Sequence, residues 1–130
     1  MVIEIKSKNK IFALVIDLSS VKEGTFPVTD PSWPLQLLLM KRKRGHVVAK
    51  HVYKKIRKIS KQPQEALVVM KGSLEARIFD NKGIFIAKTH VSAGQCLFFV
   101  DGGHEVKMTK NTLIYTFKDG PHIENKIFLP

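Results

Sequence analysis

The chain is predicted to be all-β, a sandwich or barrel forming one domain over residues 1–130. Three observations predict this. Short runs rich in Val, Ile, Phe and Thr recur along the chain, turn-forming residues separate them, and no long stretch sustains a helical period. A length of 130 residues with 44% hydrophobic content is enough to bury a core.

Val2 to Lys6 and Ile11 to Leu18 flank the polar turn Ser7-Lys8-Asn9-Lys10 and read as a hairpin. Ser19 to Pro34 reads as a loop, because it holds Gly24, Pro27, Pro31 and Pro34, and proline cannot donate to a sheet ladder. Trp33 lies near its end, suited to packing over a sheet edge. Leu35 to Arg44 is the next strand, broken at Gly45, and Val47 to Tyr53 follows. As a strand, the latter places Val47, Ala49, His51 and Tyr53 on one face. Val52, Ile56 and Ile59 also fall at the spacing of a short basic amphipathic helix. Pro63 argues against that helix running on into Glu65, so the helical spacing is assigned at most to a turn.

Gln64 to Lys71 is apolar on both faces, as in a central strand. Gly72-Ser73 turns the chain. Leu74 to Phe79 and Ile84 to Val91 flank Asp80-Asn81-Lys82-Gly83, a hairpin turn in which glycine can supply a positive φ. Cys96 to Val100 is a continuous apolar strand, and Asp101-Gly102-Gly103 a tight turn. Glu105 to Met108 and Thr112 to Lys118 flank Thr109-Lys110-Asn111 as a further hairpin. The expected core comprises Leu67, Val69, Ile78, Ile86, Leu97, Phe99, Leu113 and Tyr115.

Composition bounds the partners. The net charge is +11, and no acidic residue occurs from Pro31 to Gln64. That stretch holds Lys41, Arg42, Lys43, Arg44, Lys50, Lys54, Lys55, Arg57, Lys58 and Lys61. Such a field attracts phosphate, nucleotide, acidic sugar, nucleic acid or acidic lipid, or else serves as a solvated face. Few aromatics interleave with it, which disfavours single-stranded nucleic acid. No apolar run is long enough to span a bilayer, and no export signal precedes Glu4 and Lys6, so a cytoplasmic protein with no membrane partner is expected. Cys96 stands alone, so no internal disulfide forms, and its strand context predicts a buried, inert thiol. There is no P-loop, no Gly-x-Gly-x-x-Gly and no Cys-x-x-Cys.

One constellation organises the chain. Gly45 is followed after five residues by His51-Val52-Tyr53, then by an eleven-residue spacer, Glu65, six residues and Gly72. Ala93-Gly94-Gln95, the strand Cys96 to Val100 and Asp101-Gly102-Gly103-His104 come later. This resembles the two motifs of the cupin superfamily, in which Gly, five residues, His-x-His, a short spacer, Glu, six residues and Gly precede a Gly-bearing turn, a strand and a final His. Tyr53 stands at the second His, the spacer before Glu65 is enlarged, and Val100 stands where a Pro is usual, with His104 one residue early.

The resemblance implies the cupin double-stranded β-helix, a jelly-roll barrel. It implies that His51, Glu65 and His104 gather at one barrel end and hold one divalent metal such as iron, manganese, nickel or zinc, since two His and a carboxylate suffice for a first-row metal. Tyr53 would be a weak fourth ligand or a proton donor. Some metal-independent cupins isomerise or epimerise nucleotide-linked sugars. On that pattern His51 or His104 is the base and Tyr53 the acid, while the basic stretch, with Arg42, Arg44 and Arg57, holds the diphosphate. Lys118-Asp119-Gly120-Pro121 is similar to the ending of small cupins that accompany polysaccharide biosynthesis, which adds Lys118 to the expected ligand contacts. The alternative for Glu65 is a plain ion pair, with Arg57 as first-choice partner. The resemblance also implies a homodimer. A non-enzymatic binding module, or a basic module for nucleic acid or an acidic partner, are the competing functions.

Overall fold

The computed structural model describes residues 1–122 and 125–130. Its strands are β1 (Val2–Ser7), β2 (Lys10–Asp17), β3 (Gly24–Pro27), β4 (Leu38–Lys41), β5 (Glu65–Lys71), β6 (Ser73–Phe79), β7 (Phe85–Ser92), β8 (Gln95–Phe99), β9 (Gly103–Met108) and β10 (Leu113–Lys118). They form three antiparallel sheets: β1-β2-β8-β5-β10, β7-β6-β9 and the pair β3-β4. The all-β class is as the sequence predicts. The hydrogen-bonded ladders of the described residues do not join one sheet to another.

The five-stranded sheet is the middle layer, because its inner strands β2, β8 and β5 are apolar on both faces. Ala13 and Val15 of β2, Leu67 and Val69 of β5, and Leu97 and Phe99 of β8 turn toward the three-stranded sheet, where Leu74, Ala76, Ile78 and Val91 meet them. Leu14, Ile16, Ala66, Cys96 and Phe98 turn the other way, under Val28, Trp33, Leu35, Leu37 and Leu39 of the β3-β4 region. Trp33 stacks on Phe98 at 5.9 Å between ring centroids. The predicted loop Ser19 to Pro34 thus contains a strand, β3, whose Pro27 ends it, and the loop becomes a lid because the sheet beneath needs a second apolar cover.

Turn chemistry fixes the hairpins. Lys8 and Asn9 both have positive φ, 50° and 63°, as a two-residue connection between twisted strands requires. Asp80 Oδ1 accepts from the backbone N–H groups of Lys82 and Ile84, each at 2.9 Å, which closes the β6-β7 turn.

Three expectations differ from the structure. Glu105–Met108 and Thr112–Lys118 do not pair as a hairpin: β9 lies in the three-stranded sheet and β10 in the five-stranded one, so Thr109-Lys110-Asn111 carries the chain across the sandwich. Leu113 and Tyr115 are exposed rather than core, at 58% and 59%. A register shift between Leu113 and Ile114 turns Ile114 toward the core. Tyr115 and Phe117 then lie opposite Val68 and Ala66, on the face toward β3-β4 but at the sheet edge, and with Leu113 they stay exposed. Val47 to Tyr53 forms no strand. Its basic neighbours repel one another and find no acidic partner between Pro31 and Gln64, and its side chains are exposed.

Candidate functional site

A row of side chains crosses the middle sheet near one end of the sandwich. Lys118 of β10 lies opposite Glu65 of β5, and Glu65 lies opposite Phe99 of β8. Register partners share a face, so all three turn toward the three-stranded sheet. His104 comes from that other sheet. It pairs with Ile78, a core residue, so its ring points into the space between the layers. The Asp101-Gly102-Gly103 turn makes this possible. Gly102 has φ 75°, and a Cβ there would meet the Phe79 carbonyl oxygen at 2.2 Å, so only glycine fits where the chain crosses to β9.

The His104 ring stacks on Phe99 with centroids 3.6 Å apart and planes within 4°. Its Nε2 lies 3.4 Å from Glu65 Oε1, and Lys118 Nζ lies 3.6 Å from Glu65 Oε2. Each carboxylate oxygen therefore has its own cationic or N–H partner. Hydrogen bonding from His104 holds the Glu65 carboxyl below the usual carboxylate range against the opposing pull of partial burial, and Lys118 adds to it. Glu65 is the most enclosed of the three, its side chain 20% exposed against 34% for His104 and 51% for Lys118. The carboxylate is thus anchored at the base of the cluster while the imidazole and ammonium reach solvent.

A second polar group ties the entrance of β5 to the end of β10. Asp119 Oδ1 accepts from the Gln64 backbone N–H at 2.6 Å, and Asp119 Oδ2 accepts from the Ser60 hydroxyl. The Gln62 and Gln64 side-chain amides both donate to the Val100 carbonyl. These bonds fix where Glu65 and Lys118 stand relative to Phe99.

The structure brings together Glu65, His104 and Lys118. It places His51 elsewhere, on the irregular segment between β4 and β5, where Nδ1 contacts the Ala49 carbonyl at 2.6 Å and the ring packs edge-on against Tyr53. Tyr53 is 85% exposed. Arg57 lies on the same exposed segment and is not the partner of Glu65; Lys118 and His104 take that place because strand register puts them opposite it. Arg44 is exposed, and Arg42 donates to Thr25 Oγ1 at 2.9 Å across β3-β4. As donors for a metal, Glu65 and His104 make one carboxylate and one imidazole, and among the described residues no three His, Cys, Asp or Glu side chains gather as a ligand group.

Phe99 and Gln64 border the cluster but were not singled out by sequence, Phe99 reading as plain core; Asp119 lay within the Lys118-Asp119-Gly120-Pro121 ending, without a role of its own. A separate cleft of about 600 Å³ lies on the opposite face of the middle sheet, lined by Val2, Leu14, Phe26, Trp33 and Leu39 among others. Its walls are mainly apolar and it contains none of the motif residues. Cys96 is buried under the same face, and burial pushes its thiol up to about 11, as its strand context implied.

A hydrogen-bonded imidazole, a carboxylate fixed behind it and an ammonium beside it can bind an anion and exchange a proton with it. No family model matches the chain, no curated protein matches its sequence, and no solved structure matches its fold, so any function must be argued from these residues.

Proposed function

We propose that the chain is a cupin-type domain whose sandwich mouth binds an anionic, sugar-derived small molecule and moves a proton beside its carbonyl, as a nucleotide-sugar isomerase or epimerase of polysaccharide biosynthesis does. The observation that carries the reading is the meeting of His104, Glu65 and Lys118, residues distant in sequence, over the Phe99 ring. With Nε2–H donating to Glu65, the neutral imidazole carries its lone pair on Nδ1. Nδ1 then takes the proton from the carbon next to the substrate carbonyl. The electron pair left behind delocalises onto the carbonyl oxygen, and the Lys118 ammonium stabilises that oxyanion. The imidazolium, held by the Glu65 carboxylate, returns the proton to the opposite face of the same carbon after the substrate turns over, which is epimerisation, or to the former carbonyl carbon. In the latter case the hydroxyl proton of the first carbon passes to the oxyanion and that carbon becomes the carbonyl. Nothing is oxidised or reduced overall. The positive charge of the chain, +11, draws the phosphorylated substrate in.

The test is deuterium exchange. Nucleotide-linked keto sugars are incubated with the protein in deuterated water, and loss of the proton signal beside the carbonyl is followed by NMR. Wild type should exchange it, and His104→Ala should slow exchange by roughly 10²–10⁴-fold, the usual contribution of a positioned acid-base group. Binding by calorimetry without any exchange would instead assign a non-enzymatic binding module. Absence of binding to the whole panel at low salt would overturn the proposal.

A further inference from the structure

Between β4 and β5 the chain runs as an irregular, exposed segment, and its hydrophobic residues are uncovered. Val48 is 56% exposed, Val52 93%, Ile56 66% and Ile59 72%. Such a set normally finds something to bury against. Both ends of the segment are held to the body of the domain. Arg42 binds Thr25 at the start, and Ser60 and Gln62 bind Asp119 and Val100 at the finish. The middle is a tethered strap.

The order of residues in the strap is that of an amphipathic helix. At 100° per residue, Val48, Val52, Ile56 and Ile59 fall within roughly 80° of one another. Lys50, Lys54, Arg57 and Lys61 fall on the opposite side, and Lys55, Lys58 and His51 on one flank. Tyr53 lies at the other border of the apolar stripe, where an aromatic ring with a polar tip suits a headgroup region. Pro63 stops the pattern at its end. Val, Ile and Tyr are poor helix formers, so an isolated helix this short is marginal in water and needs its apolar face buried to form. The irregular conformation of the free chain follows from that.

We propose that residues 48–61 fold into a helix lying on the surface of an anionic lipid bilayer and hold the domain against it. Charge complementarity selects the partner: this strap and the adjoining Lys41, Arg42, Lys43 and Arg44 lie in a stretch with no acidic residue. A bilayer engages the basic face and the apolar stripe at once. Nucleic acid would use the charges but leave Val52, Ile56 and Ile59 exposed. No described helix is long and apolar enough to cross a membrane, and a surface helix has no need to cross. The expectation of no membrane partner considered only spanning and export, and this proposal departs from it.

Flotation of the full chain with vesicles tests it, comparing pure phosphatidylcholine with phosphatidylcholine containing phosphatidylserine, alongside far-UV circular dichroism. Binding is expected only with the anionic lipid, accompanied by a gain in helical signal equivalent to about 14 residues over a sheet-dominated baseline. Val52→Glu with Ile56→Glu should cut binding at least roughly tenfold while leaving thermal unfolding unchanged, because both side chains are already solvated. Lys54→Ser with Lys55→Ser and Lys58→Ser should cut it by a similar factor. Absence of binding at low salt overturns the proposal. So does binding without helix gain that survives the double glutamate substitution, which is simple charge adhesion. Tight capture of single-stranded DNA that is indifferent to the apolar stripe assigns the strap to nucleic acid and equally overturns it.

Discussion

Replacing Glu65 by Gln removes one negative charge and keeps the shape of the side chain. His104 and Lys118 then face an amide instead of a carboxylate. Two limits bound the cost. An exposed ion pair contributes about 0–1 kcal/mol, and breaking a fully buried one costs about 3–5 kcal/mol. Glu65 is 20% exposed while Lys118 is 51% exposed, which places the cluster nearer the exposed limit. A loss of about 1–2 kcal/mol at neutral pH is expected. For a chain of 130 residues the entropy of unfolding makes this a fall in Tm of about 4–7 °C. The effect has a defined pH dependence. His104 and Lys118 lower the folded-state pKa of Glu65 below its ordinary 4.5. Its contribution is therefore complete above that ordinary value and disappears as pH falls through the lowered one. Glutamine does not titrate, so wild type and variant should converge in acid. Urea unfolding at steps between about pH 7 and pH 2.5 measures the gap. A gap absent at pH 7, or unchanged down to the lowest pH, would refute the pairing as the source of the shift.

Two further outcomes rest on other parts of the fold. Gly102→Ala should destabilise by at least about 2 kcal/mol in the same urea assay, because φ is 75° and the new methyl meets the Phe79 carbonyl oxygen; a neutral result would mean that the turn has another conformation available. Cys96 should resist alkylation at pH 8 in the folded protein and react at once in urea, since its thiol is buried and pushed up to about 11. Rapid labelling without denaturant would show that the β3-β4 lid opens.

What was legible followed from local chemistry. The DNKG turn, the buried strand at Cys96 and the two-faced strand at Glu65 all announce themselves through residue type and alternation. What was not legible depended on partners distant in the chain. Nothing in Thr109-Lys110-Asn111 distinguishes a hairpin from a crossing between sheets, because both need the same polar turn. Tyr115 alternates as a core residue would, and only the placement of β10 at an uncovered edge leaves it in water. Spacing singled out Glu65 and His104, and strand register brings their side chains within 3.4 Å of each other. His51 was not brought to them, because a strand through Val47 to Tyr53 was needed to carry it there. Arg57 was the first-choice partner for Glu65 from the basic stretch that precedes it, whereas register selected Lys118 from far along the chain.

The middle sheet pairs β2 with β8, so that Ala13 sits opposite Phe99. During synthesis the N-terminal hairpin is therefore complete long before its neighbour in the sheet exists. Until β8 has left the ribosome, the free side of β2 is an unpaired edge rich in Phe, Leu, Val and Ile. Closing so large a loop is entropically expensive, and domains dominated by such distant pairings fold in milliseconds to seconds rather than microseconds. Closure of the middle sheet is accordingly a late event on the growing polypeptide, which waits for β8 and then for β10. A chaperone that shields β2 during that interval would act on yield and leave the final stability untouched.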